Sequence, residues 1–170
     1  DSFNRPDGLL SGQQTETGLA TWSLGFAASI SGYAATWQTV IVQSSVSTSG
    51  YVQMRIAKLP TAINHGIYIN FDPAVGGAYV LHSDGTSLYL WSYTPSTSYV
   101  KLAQTPHVLA VGDVLKVTVD GTLIEGYVNG VEKLSTPMSA GAFPNGFFVG
   151  LYDAGSGDGL IYDFKAACAP

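Results

Sequence analysis

Charge is scarce in this chain. Asp, Glu, Lys and Arg make up 11% of its 170 residues, against roughly 25% in an average soluble domain. Basic groups are scarcer still, seven against twelve acidic ones, which gives a formal net charge of -5 at pH 7. Without a basic surface nothing electrostatic favours a phosphate backbone or an anionic bilayer, and nucleic acid is excluded as a partner. No apolar run approaches the ~20 residues of a membrane span, so membrane insertion is not expected. The one cysteine, Cys168, allows neither a disulfide framework nor a zinc quartet within the chain, and leaves the redox compartment open. No Asn-x-Ser/Thr sequon occurs. No secretory leader precedes Asp1, which suits a mature fragment, a domain cut from something longer, or a protein exported by another route.

What is present is a foldable, apolar composition: 46% hydrophobic and 12% aromatic residues fill a core, and 20 glycines with 8 prolines stay below a low-complexity content. One domain over residues 1–170 is expected, burying about 70% of the surface its unfolded chain exposes. Helical spacing of apolar positions is missing, because Gly, Pro or β-branched clusters interrupt every long window. Short alternating runs recur instead, bounded by Gly, Asn, Asp, Ser and Pro. They cover Trp37 to Gln43, Tyr51 to Lys58, Gly66 to Phe71, Ala78 to Ser83, Thr86 to Tyr93 and Tyr99 to Ala103. Beyond these come Val114 to Val119, Thr122 to Val128, Val131 to Leu134, Phe147 to Tyr152 and Leu160 to Phe164. The pattern predicts an all-β chain, an antiparallel two-sheet β-sandwich.

Asp84-Gly85, Asp120-Gly121 and Asn129-Gly130 suit two-residue type I′ hairpins, which require positive φ at both central positions. These turns predict the pairs Leu81 with Leu88, Tyr79 with Leu90, Val117 with Ile124, Lys116 with Glu125, and Tyr127 with Glu132. Val117, Ile124, Val128 and Val131 then share the core face. In the Asp84 hairpin Tyr79, Leu81, Leu88 and Leu90 face the core, which turns Val80, His82, Ser87, Tyr89, Trp91 and Tyr93 outward. Inward Ile67, Ile69 and Phe71 leave Tyr68 and Asn70 outside; inward Val52, Met54 and Ile56 leave Gln53 and Arg55 outside. Tyr99 and Lys101 follow, with Val100 and Leu102 as their inward partners.

Flat rings beside planar polar groups suit a sugar, because a ring covers the C–H face of a pyranose while forked donors and acceptors meet its hydroxyls. The expected ligand-binding set is Trp91, Tyr89, Tyr93, Tyr68, His82, Asn70, Arg55 and Gln53. Strand propensity alone also places aromatics in such runs. On this reading truncating Trp91 costs well under the ~3 to 5 kcal/mol of a buried aromatic. Catalysis is not expected. A glycosidase needs two carboxyls about 5 to 5.5 Å apart, or about 6.5 to 9.5 Å for inversion, and Glu125 and Glu132 instead form an exposed ladder with Lys116 and Tyr127. The three histidines, His65, His82 and His107, have no metal-ligand spacing. Asp153 and Asp158 sit among glycines without the remaining ligands of a calcium loop. No cofactor is implied; whether a structural calcium ion binds stays open.

The opening DSFNRPDGLL and the closing GFFVGLYDAGSGDGLIYDFKA resemble the two ends of concanavalin A-like, laminin-G-like sandwich domains, and VGDVLKVTVDGTLIEGYVNGVEKL resembles their paired hairpins. The resemblance implies a jelly roll whose first and last strands, around Asp1 to Arg5 and Leu160 to Phe164, lie side by side. The opening departs from the pattern in the stretch LLSGQQTETGLATW before Trp22. Such domains occur in secreted carbohydrate-active proteins and in tail or fibre proteins of bacterial viruses. The resemblance therefore implies a carbohydrate-binding or host-recognition module, with a cell-surface or secreted glycan as partner, at an extracellular or virion surface. The alternative is a structural or oligomerisation module of a larger fibre, its aromatic face buried against a neighbouring subunit in a homo-oligomer.

Overall fold

The computed structural model describes residues 8–9, 22–24, 29–31, 34–36, 40–43, 49–61, 65–72, 74–138, 143, 148–153 and 159–168. Among them are fifteen strands and no helix. The strands are β1 (Gly8–Leu9), β2 (Trp22–Leu24), β3 (Ser29–Ser31), β4 (Ala34–Thr36), β5 (Val40–Gln43), β6 (Gly50–Lys58), β7 (His65–Asp72) and β8 (Gly77–Ser83). They continue with β9 (Ser87–Thr94), β10 (Ser98–Pro106), β11 (Val114–Val119), β12 (Leu123–Val128), β13 (Val131–Pro137), β14 (Phe148–Asp153) and β15 (Leu160–Cys168). An eight-stranded sheet in the order β1-β3-β4-β15-β6-β11-β12-β13 faces a seven-stranded sheet in the order β10-β9-β8-β7-β14-β5-β2. The all-β sandwich expected from periodicity is the observed architecture. Residues 1–7 and 154–158, which carry the expected pairing of the opening segment and the calcium-like loop, lie outside the described residues.

The core forms where the alternating strands of the two sheets meet. Burial alternates with period two along β6, β11 and β12, so Val52, Met54, Ile56, Leu115, Val117, Ile124 and Val128 point inward. Ile67, Ile69, Tyr79, Leu81, Leu88 and Leu90 answer from the second sheet. Each such side chain contributes about 1.5 to 3 kcal/mol on full burial, enough to fix which face of a strand turns inward. Strand β8 departs from alternation and is buried along its whole length. Its outward Ala78 and Val80 form a second apolar cluster with Tyr68, packed against Phe71 and Trp91.

Two of the three expected turns are centred one residue later than the sequence pattern places them. Ser83 pairs with Leu88 and Leu81 with Leu90; Val119 pairs with Ile124 and Lys116 with Tyr127. The cause is the aspartate side chain. Asp84 Oδ1 accepts from the Thr86 N–H at 2.9 Å and the Ser87 N–H at 2.8 Å. Asp120 Oδ1 accepts from the Thr122 and Leu123 N–H groups, both at 2.7 Å. Each carboxylate draws the chain round Gly-Thr, with positive φ at Gly85 (86°) and Gly121 (91°) but not at either aspartate. A shift of two in register keeps every side chain on its face, so the core assignment survives. Asn129-Gly130 has positive φ at both residues, 54° and 76°, and pairs Val128 with Val131 and Tyr127 with Glu132 as expected. Val131, at the tip, is nevertheless 57% exposed and not core.

Glycine marks where backbones approach. A Cβ at Gly66 meets the Leu81 carbonyl oxygen and the His82 Cα, whereas at Gly126 it meets the Leu81 Cδ1 methyl at 2.8 Å. Backbone of a central strand cannot yield as a leucine tip does. Gly66→Ala is expected to destabilise by about 3 kcal/mol or more and Gly126→Ala by about 1 kcal/mol, read from denaturant midpoints. Equal midpoints would show that β7 and β8 are not locked together.

Candidate functional site

The corrected register of β8, β9 and β10 builds three cross-strand rows on the outer face of the seven-stranded sheet. His82 pairs with Tyr89 and Tyr89 with Gln104; Val80 with Trp91 and Trp91 with Lys101; Ala78 with Tyr93 and Tyr93 with Tyr99. The rings form a continuous series. His82 stacks on Tyr89 at 5.0 Å between centroids and 15° between planes, and Tyr89 and Trp91 are 5.7 Å apart. Trp91 meets Tyr99 edge-on at 6.1 Å, and Tyr99 lies 4.6 Å from Tyr93. A bulge between Lys101 and Ala103 changes the phase of β10, which brings Gln104 onto this face. Leu102 packs against the core as expected, whereas Val100 is 44% exposed.

The expected site residues separate into three groups. Tyr89, Trp91 and Tyr93 stand together, half-buried, beside the exposed Tyr99. Tyr68 and His82 are on the same sheet but buried, Tyr68 within the second apolar cluster and His82 under the Tyr89 ring. Asn70 adopts φ of 53° in the irregular stretch between Ile69 and Asp72, where it is buried with no partner for its Oδ1 among the described residues. That irregularity also turns Phe71 out of the main core and against the cluster of Tyr68, Ala78 and Val80. Arg55 and Gln53 are not part of this face. They lie on β6, in the opposite sheet, where Arg55 pairs with Asp163 at 3.2 Å and Gln53 aligns with Lys116 and Lys165. Alternation separates inward from outward but does not say which sheet a strand joins.

Three polar residues tie the ring series down. The Tyr89 hydroxyl donates to Asp84 Oδ2 at 2.7 Å and accepts from Gln104 Nε2 at 3.2 Å. Lys101 Nζ donates to Gln104 Oε1 at 2.8 Å. Desolvation alone would raise the Asp84 pKa, but hydrogen bonds from Tyr89, Thr86 and Ser87 outweigh it and hold the carboxyl below its ordinary value. The bond to Asp84 raises the Tyr89 pKa. Burial lowers that of His82, only partly offset by Ser83 and Asp84, so the ring is neutral at pH 7. With every oxygen of Asp84 hydrogen-bonded, the carboxyl is structural.

On the opposite sheet Lys116 faces Tyr127 rather than Glu125, and its ammonium lies 4.9 Å from the Tyr51 ring centre and 5.5 Å from that of Tyr127. Glu125 instead faces Thr118 and accepts from the Thr118 and Tyr127 hydroxyls at 3.0 and 2.8 Å. Burial first, and then the bond to Glu125, pushes the Tyr127 hydroxyl up to about 12. Glu125 is therefore tied to its own sheet face, away from the ring series.

The pKa shifts set a pH dependence. Folding lowers the His82 pKa, so the stability it confers is present above the ordinary value of 6.5 and is lost as pH falls through the lower folded value. Asp84 is lowered too, so its contribution is present above 3.8 and is lost as pH falls below it. Thermal melts are expected to decline in two stages, beginning below about pH 6.5 and below about pH 4. His82→Phe makes the first stage shallower and Asp84→Asn the second. An unchanged profile in both variants would contradict the assignment.

No family model matches the chain, and no curated protein matches it in sequence. Solved structures do. The chain is similar to sheep galectin-11 in complex with glycerol, at 12% identity and a TM-score of 0.57, over 76% of this chain and 98% of that one. It is similar to the carbohydrate-binding module CBM66 from Bacillus subtilis, at 12% identity and a TM-score of 0.57, over 94% of this chain and 91% of that one. Domain 4 of AbnA, a GH43 extracellular arabinanase from Geobacillus stearothermophilus, solved with arabinotriose, matches at 19% identity and a TM-score of 0.57, over 95% of this chain and 81% of that one. At these identities the likeness is one of fold, and that fold is the concanavalin A-like jelly roll.

Proposed function

We propose that this chain is a non-catalytic carbohydrate-binding module that takes its glycan on the outer surface of β9 and β10. The observation that carries this reading is the unbroken series of rings, Tyr89, Trp91, Tyr99 and Tyr93, on one half-exposed face. A pyranose covers rings of this spacing with its C–H face, and the Lys101 and Gln104 side chains at the margin meet its hydroxyls. Galectins and carbohydrate-binding modules among the structural neighbours support the reading. Recognition of a host or cell surface from an extracellular or virion position is the setting that fits such a module.

The competing reading buries the same face against a second subunit. Strand β10 is an edge of its sheet among the described residues and exposes Val100 and Tyr99. It also carries a bulge at Leu102, Lys101 and a terminal Pro106, features that discourage edge-to-edge pairing. Those devices favour the glycan.

Trp91 packs against the second apolar cluster, so Trp91→Ala is expected to cost about 2 kcal/mol, more than its outward position alone implies. Cleaner probes are Trp91→Phe and the exposed Tyr99→Ala, the latter shifting stability by less than about 0.5 kcal/mol. Both are expected to weaken binding to the best oligosaccharide from an array by about five- to tenfold. Arg55→Ala and Gln53→Ala are expected to leave it unchanged. The reverse pattern would move the site to the other sheet.

A further inference from the structure

The ring series holds one cation whose position is fixed. Lys101 stands across from Trp91, and its Nζ lies 6.0 Å from the Tyr89 ring centre. Its bond to Gln104 Oε1 sets the orientation of that amide, so Nε2 turns to the Tyr89 oxygen, whose hydrogen goes to Asp84. The four groups form a directional chain from ammonium to carboxylate, anchored at Asp84 by the turn itself. Gln104 takes one of the three ammonium donors, which leaves two for a ligand. Of the other cations, Arg55 pairs with Asp163 and Lys116 lies against two tyrosine rings. No carboxylate pairs with Lys101 among the described residues.

An exposed ammonium held beside a stacking surface, without an acid of its own, complements an anion on a sugar ring. Resting on the reading of this face as the glycan site, we propose that the saccharide it selects is anionic, its charged group held by Lys101 beside the rings of Tyr89 and Trp91. Carboxylated and sulfated sugars share this chemistry. The chain's net charge of -5 opposes a polyanion at long range, so the preference arises from this contact and not from steering. Toward the anionic group Gln104 is a positioning residue, acting through its bond to Lys101.

The test is an array of immobilised carboxylated, sulfated and neutral oligosaccharides, probed with the whole chain and its variants, each checked by thermal melt. The acidic members are expected to lead. Lys101→Gln lowers their binding about three- to tenfold, a larger factor than for the neutral members, while leaving the melting temperature unchanged. Lys101→Arg keeps the preference, and Gln104→Leu reduces it by a smaller factor. The carboxylated and sulfated arms tell the two anions apart, and loss of either with Lys101→Gln supports the assignment. Neutral glycans that bind regardless of Lys101 but are lost in Tyr99→Ala would overturn the anionic preference and leave the glycan site standing. No binding to any member would overturn both.

Discussion

The Asp84 carboxylate governs both the register of a hairpin and the posture of an aromatic ring. One oxygen gathers the Thr86 and Ser87 N–H groups and moves the turn onto Gly85-Thr86, which aligns His82 with Tyr89, Val80 with Trp91 and Ala78 with Tyr93. The other oxygen accepts the Tyr89 hydroxyl. Asp120 makes the same turn through Thr122 and Leu123. Comparing the two separates what the motif does for a hairpin, which both perform, from what Asp84 adds to the site.

Burial decides where on the sheet a ligand finds rings. Strand β8 is buried from end to end and β7 nearly so, so Tyr68 and His82 support the surface from beneath. The outer half of the sheet loosens progressively, with β9 half-buried toward its end and β10 mostly exposed. The accessible rings therefore lie toward the edge strand, where the Leu102 bulge turns Gln104 onto the same face as Lys101. An edge strand kept from pairing by its bulge and its lysine is free to display side chains instead.

Much of this was legible in the sequence, and each exception has a physical cause. Strands β6, β11 and β12 follow period-two alternation, and Asn129-Gly130 is a turn whose backbone demand matches its residues. What alternation cannot register is a one-residue insertion. The irregularity at Asn70 reversed Phe71, and the bulge at Leu102 hid Gln104. The repeated Asp-Gly-Thr was the available signal for a side-chain-capped turn, since its threonine hydroxyl also bonds the aspartate in both copies, at 2.8 Å. Gln53 and Arg55 were misplaced for another reason: in a two-sheet sandwich, outward has two meanings. Strands β1 to β4 run for only two or three residues, too short for periodicity to reveal.

The central claim is that a glycan rests on the β9–β10 rings. Amide and indole resonances of isotope-labelled protein, followed while an array-selected oligosaccharide is added, test it most directly. The account predicts shifts confined to Tyr89, Trp91, Tyr93, Tyr99, Lys101 and Gln104, with the Trp91 indole among the largest. Shifts centred instead on Tyr51, Lys116 and Tyr127 across the sandwich, or on the loop from Val108 to Val111, with the rings silent, would contradict it.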